Sequence, residues 1–163
     1  MSLSPTTAAS PPSSVGMGQV KLAAAPARLN AVLGSCVGVA LYHPRARIGA
    51  LGHVVLPRSG GTGGGPAKFA ESAIPYMLAQ LEQRGASRTA LVARIAGGAC
   101  MFGTGGPLQI GDQNVAAVLA ALKASGVRVV AQDTGGTKGR RVSLDCTNGE
   151  LTVEIVGCPP RIL

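Results

Sequence analysis

Two β-type runs, VLGSCVGVALY (residues 32–42) and IGALGHVVLP (48–57), flank the turn-like HPRAR (43–47), and a proline closes the second. Short runs rich in Val, Leu and Ile, hinged by a Pro-containing polar segment, read as an antiparallel hairpin. Everything downstream has to pack onto that unit. After a flexible GTGGGP loop (61–66), the stretch KFAESAIPYMLAQLEQRG has apolar residues at Ala70, Ala73, Ile74, Met77, Leu78 and Leu81, a helical period. Gly85 is its natural terminator, and Pro75 marks a kink or an early helical position. RTALVARIAGG (88–98) reads as a buried strand running into a glycine turn. GDQNVAAVLAALKASG (111–126) reads as a second helix with Asp112 as N-cap and Gly126 past its end. VRVVAQD (127–133) is another strand, followed by the loop TGGTKGR. RVSLDC and ELTVEIV form two strands joined through Thr147-Asn148-Gly149, a strong hairpin signal.

The expected fold class is therefore α/β: a mixed β-sheet with helices layered against it. Residues 1–17, rich in Ser, Pro, Thr and Ala, are expected to be a disordered N-terminal tail, 18–158 the domain, and 159–163 a short C-terminal tail. Within 18–30 a short edge strand around Val20–Leu22 is plausible. Hydrophobic residues make up 46% of the chain but aromatics only 2%, so the core must be packed from Val, Leu, Ile and Ala.

The formal net charge is +8, which favours an acidic partner. Nucleic acid fits poorly, because the aromatic platforms on which bases stack are nearly absent, and the cations are scattered apart from Lys138, Arg140 and Arg141. An acidic protein surface fits at least as well. The four cysteines show no CxxC spacing and sit in apolar runs, so reduced thiols and a cytoplasmic location are expected. No signal peptide is expected from the first residues, and no run reaches the ~18 apolar residues that span a bilayer, so no membrane insertion is expected.

Nucleophilic cysteine chemistry needs a base near the thiol, which is mostly protonated at neutral pH. Of the two histidines, His43 sits beside Pro44 in the turn, whereas His53 lies mid-strand between Gly52 and Val54. If the turn is His43 to Ala46, with Tyr42 opposite Arg47, Cys36 falls directly opposite His53. Their Cβ atoms would then be roughly 4.5–5.5 Å apart on one face. One extra loop residue would send His53 to the other face. Gly34 and Ser35 add backbone N–H groups able to hold an oxyanion. Spacing alone leaves two readings open: a catalytic pair, or a buried strand cysteine beside a satisfied core histidine. Cys100, Cys146 and Cys158 have no histidine at a suggestive spacing and are taken as structural.

With these residues in view, the chain resembles the chemotaxis receptor glutamine deamidases, the CheD family. The resemblance covers roughly residues 20–156, through LGSCVGVALYHP, IGALGHVVLP, KFAESAIPYML, ARIAGGACMF, IGDQNV and DTGGTKGRRVSLD, in that order. It implies a sandwich fold similar to the cytotoxic necrotizing factor deamidase toxins, with Cys36 as nucleophile and His53 as base. The implied substrates are glutamines on the cytoplasmic helical bundle of methyl-accepting chemotaxis receptors, with a CheC-type phosphatase as a further partner. The family usually has Thr six residues before the cysteine and counts it with the catalytic set; here that position is Asn30. An Asn can orient an imidazole, as in Cys-His-Asn proteases. It also keeps an alternative alive, a weakly active or inactive member acting as a receptor- or phosphatase-binding adaptor.

No cofactor or metal is expected, since two histidines and isolated cysteines make no plausible cluster. GGTGGGPAK (60–68) lacks GK[ST] and is interrupted by Pro66, so it reads as a loop near the site and not as a phosphate cradle. GGTKGRR (135–141) admits two readings: Lys138 and Arg140 grip acidic receptor helices, or the segment is a solvated turn.

Overall fold

The structure is a computed structural model that describes residues 11–58, 63–101 and 109–163. The first ten residues of the expected tail, part of the GTGGGP loop and the last residue of IAGGACMF lie outside them.

Strands β2 (Val20–Ala24), β4 (Val37–His43), β5 (Ile48–Val54), β6 (Val92–Gly97) and β7 (Arg128–Thr134) form one sheet in the order β2-β5-β4-β6-β7. A second sheet runs β1-β3-β8-β9-β10, from β1 (Ser13–Ser14), β3 (Arg28–Leu33), β8 (Arg140–Asp145), β9 (Leu151–Glu154) and β10 (Arg161–Ile162). Helices α1 (Ala70–Gln83) and α2 (Ile110–Ala124) connect β5 to β6 and β6 to β7. The β6–β7 pair is parallel, which a tight turn cannot achieve, so α2 supplies the crossover.

Two cores make three layers. Val37, Val39 and Leu41 of β4 pack with Ala50 and Val54 of β5 against both helices. Cys36, Ala40, Tyr42 and Leu51 face the other way, against Leu29, Ala31 and Leu33 of β3 and Val142 and Leu144 of β8. Strand β4 is buried on both faces, and this explains why VGVALY reads as a continuous apolar run without alternation. The apolar positions expected on α1 are the ones it buries. Each fully buried Leu, Ile or Met among them contributes about 1.5–3 kcal/mol. No helix among the described residues is long and apolar enough to cross a membrane.

Several expectations need correction. The β4–β5 turn comprises Pro44 to Arg47, because His43 pairs with Ile48 and Tyr42 with Gly49. His43 closes it by accepting the Ala46 N–H at Nδ1, 3.0 Å. Asp112 does not cap α2; the helix begins at Ile110, and Asp112 sits in its first turn. The folded part extends beyond both expected boundaries. Ser13–Ser14 pairs in parallel with Leu29 and Asn30, Val15 is buried, and Arg161–Ile162 pairs with Val153 and Thr152. Composition marks residues 11–15 and 159–163 as tails, yet open sheet edges give them backbone partners.

Candidate active site

His53 is directly opposite Gly38, so the register differs by two residues from the expected one. Side chains alternate with a period of two, so a two-residue slip preserves the face. Cys36, one pleat before Gly38, belongs to the inter-sheet core, and His53 lies on that face with Leu51 and Gly49. The two are diagonal neighbours, roughly 7–8 Å apart in the backbone and somewhat less between Cβ atoms. Gly38, facing the imidazole, contributes no side chain, and a methyl there would meet Leu33 at 2.9 Å. Leu33 and Val142 fill the space over Gly38.

The imidazole is held from the N-terminal side. His53 is 4% exposed, and its Nδ1 lies 2.9 Å from the Val15 carbonyl oxygen. A carbonyl can only accept, so Nδ1 carries the proton and Nε2 is left as the basic nitrogen. The His53 backbone is bound in the same place: its N–H donates to Gln19 and its carbonyl accepts from Gly18. Asn30 enters through its backbone. Its carbonyl accepts the Val15 N–H at 2.8 Å. The β3 pleat buries Leu29, Ala31 and Leu33 between the sheets, which sends the Asn30 side chain to the opposite face, away from the imidazole. The orienting group beside His53 is thus a carbonyl in a segment whose composition reads as a tail.

The Gly34–Cys36 segment is pinned at three consecutive carbonyls. Gly34 accepts from the Ala99 N–H (3.0 Å), Ser35 from the Asn114 side-chain amide (3.0 Å), and Cys36 from the Gly98 N–H (2.9 Å). Gly97 and Gly98 both have positive φ, and a methyl on Gly97 would strike the Cys36 carbonyl oxygen at 2.3 Å. Only glycine allows the two backbones to run this close.

Burial pushes the Cys36 thiol above its ordinary range, opposed by a hydrogen bond from its own backbone N–H. The Cys36 thiol is therefore held toward its protonated form, with its proton still to move. Cys146 is buried, Cys100 half-buried and Cys158 exposed. Among the described residues no group of three or more His, Cys, Asp or Glu is placed to hold a metal.

Arg140 is not at the surface where a substrate would meet it. It is 5% exposed, and its Nη1 donates to the Asp133 carbonyl (2.7 Å) and carboxylate (2.6 Å), while Nη2 donates to the Gly135 carbonyl. That guanidinium shapes its own glycine loop, which in turn binds the Gly97–Cys100 segment through Gly135 N–H to Gly97 O and Cys100 N–H to Gly136 O. Lys138 remains exposed. Sequence reasoning missed Val15 and Asn114. For Asn114 a signal existed: with Gly111, Val118 and Leu122 it lies on the buried stripe of α2, where a polar side chain needs a partner.

Residues 55–155 match the family model described as CheD chemotactic sensory transduction. A protein from Thermotoga maritima named chemoreceptor glutamine deamidase CheD is 44% identical over 125 residues, covering 77% of this chain and 79% of that protein. A probable chemoreceptor glutamine deamidase CheD from Symbiobacterium thermophilum is 44% identical over 151 residues, covering 88% and 92% respectively. A third, of the same probable name, from Archaeoglobus fulgidus, is 40% identical over 142 residues, covering 86% and 90%. The chain belongs to the CheD family.

Proposed function

We propose that this chain is a protein-glutamine deamidase, converting glutamine side chains to glutamate on methyl-accepting chemotaxis receptors in the cytoplasm. The observation that carries this reading is the placement of Cys36 and His53 on one inter-sheet face of adjacent strands, with Nδ1 tied to Val15 and Nε2 left as base. The names of the relatives supply the substrate class.

His53 Nε2 takes the Cys36 thiol proton as the sulfur attacks the glutamine carboxamide carbon. The carbonyl oxygen becomes an oxyanion, held by backbone N–H groups of Ser35 and Cys36 within the Gly34–Cys36 segment. The imidazolium returns its proton to the amide nitrogen, the C–N bond breaks, ammonia leaves, and a thioester remains. Water attacks that thioester while giving a proton to His53; the thiolate departs and takes the proton back, leaving glutamate. Positioned proton transfer of this kind contributes about 10²–10⁴-fold. Asn30 acts through its backbone by fixing Val15, and exposed Lys138 is available to acidic receptor helices. On the same reading the sandwich is of the cytotoxic necrotizing factor deamidase type, and a CheC-type phosphatase is a partner.

Incubation with a receptor cytoplasmic fragment tests the proposal. Ammonia release, with mass spectrometry locating the amide-to-acid conversion at glutamines, is expected from the unaltered chain. A Cys36→Ala variant should fold and lose both. Undiminished release by that variant would remove Cys36 from the mechanism.

A further inference from the structure

We infer that Asn114 is a positioning residue that aims the Cys36 N–H at the oxyanion, by locking the Ser35–Cys36 peptide plane. The inference rests on the deamidase reading and adds a residue to its machinery.

Asn114 is 0% exposed, and its Nδ2 donates twice, to the Ser35 carbonyl (3.0 Å) and the Val55 carbonyl (2.9 Å). Ser35 immediately precedes the nucleophile, and Val55 follows β5 two residues after His53. One amide group thus bridges the two chain segments that carry the reacting pair. Among the described residues its buried Oδ1 has no hydrogen-bond partner, and the two bonds from Nδ2 orient the side chain.

In a trans peptide the carbonyl of one residue and the N–H of the next point in opposite directions in one plane. Holding the Ser35 carbonyl toward α2 therefore turns the Cys36 N–H away from α2. With the Ser35 carbonyl fixed, that N–H is held on the opposite edge of the peptide plane, the edge from which it would meet an oxyanion. An unpinned peptide could rotate its N–H out of the hole and leave a carbonyl oxygen facing the oxyanion.

The helix comes near enough only because the contact surfaces are bare backbone. A methyl on Gly111 would lie 2.4 Å from the Gly98 oxygen and 2.5 Å from the Ala99 oxygen, and one on Gly98 would strike Val115 at 2.3 Å. Gly98 and Ala99 are the residues whose N–H groups hold the carbonyls on either side of Ser35. The first turn of α2 therefore presses on the clamp segment while Asn114 passes it to reach Ser35.

The test compares Asn114→Leu, which keeps the volume and removes both donors, with Leu122→Ala, which weakens the same helix away from the site. Deamidation kinetics, iodoacetamide alkylation of Cys36 and hydrogen exchange of the Cys36 amide are measured for each. For Asn114→Leu, kcat is expected to fall by about 10²–10³-fold, as for loss of an oxyanion donor, with KM and the alkylation rate within about threefold. Alkylation needs the sulfur but no oxyanion donor. Exchange at the Cys36 amide should rise about tenfold or more, while Leu122→Ala keeps kcat within about threefold. The inference is overturned by a kcat within about threefold of the unaltered chain, by alkylation falling in step with kcat, or by an equal kcat loss in Leu122→Ala. Where Asn114→Leu does not fold, Asn114→Asp, which sets an acceptor against two carbonyls, takes its place with the same expectations. If the unaltered chain releases no ammonia, the deamidase reading fails by itself. The exchange comparison then decides the peptide lock, unchanged exchange overturning it.

Discussion

Cys36 and Cys146 lie in the same inter-sheet core, at opposite ends of β4 and about 20 Å apart at roughly 3.3 Å per residue. Both thiols are pushed upward by burial, and each is partly relieved by a backbone N–H, its own for Cys36 and that of Gly49 for Cys146. Their surroundings otherwise diverge. Around Cys146 the Tyr42 hydroxyl donates to the Cys146 carbonyl at 2.9 Å, and the Tyr42 ring packs so closely on Gly149 that a methyl there would meet it at 2.3 Å. Those contacts close a hairpin. Around Cys36 the backbone is pinned at three carbonyls, and His53, its Nδ1 tied to Val15, lies on the same face. Burial and thiol acidity do not distinguish these two cysteines; the proposed partner of Cys36 and the rigidity of the adjoining peptide planes do.

The comparison can be broken most sharply at the base. His53→Gln should cut ammonia release by about 10³-fold or more, whereas Cys146→Ala should leave it within about twofold. Comparable losses in both would show that the two ends of β4 are not functionally distinct. Deleting the chain through Val15 comes next. It removes the carbonyl on Nδ1 and should lower kcat by about 10²-fold, less than loss of the histidine itself, because Nε2 survives but is no longer held. Full activity in that truncation would strip Val15 of its role.

Alkylation separates the ends by a smaller margin. Because burial raises the Cys36 thiol, its reaction with iodoacetamide should climb about tenfold per pH unit through neutrality. A plateau below pH ~7 would instead reveal a thiolate–imidazolium pair formed in advance. The smallest effect concerns stability. Folding moves the Cys146 thiol from 9.0 to about 11. The unfolded chain releases this proton first, so the contribution is fully present below 9.0 and is lost as pH rises toward 11. The midpoint of denaturant unfolding should fall across that window, with a shallower slope in Cys146→Ala.

Local pattern carried much of the architecture into view. The helical period of 70–81 and the strand–turn–strand segments depend on neighbours within a few residues, and for the same reason the parity of the β4–β5 register survived a misplaced turn. Single-sequence reading failed where partners are remote. Ser13 to Val15 show no strand pattern, since edge pairing with β3 is a backbone event that Ser and Pro neither announce nor forbid. Arg140 looks like an exposed cation until Asp133, seven residues earlier, folds back onto it. Asn30 looks like a substitute side chain for a catalytic Thr until the pleat of β3 sends that side chain to the outer face.

What the amino-acid order decided by itself was the list of reactive groups and the face each would share, because strand alternation and chemical type are properties of the local chain. Which nitrogen of His53 is basic, which peptide planes around Cys36 are locked, and which cation is available were decided by Val15, Asn114 and Asp133. They reach their partners only when two sheets and a helix close on one another. Hydrogen bonds are short and directional, and no local pattern encodes a donor 79 residues from its acceptor.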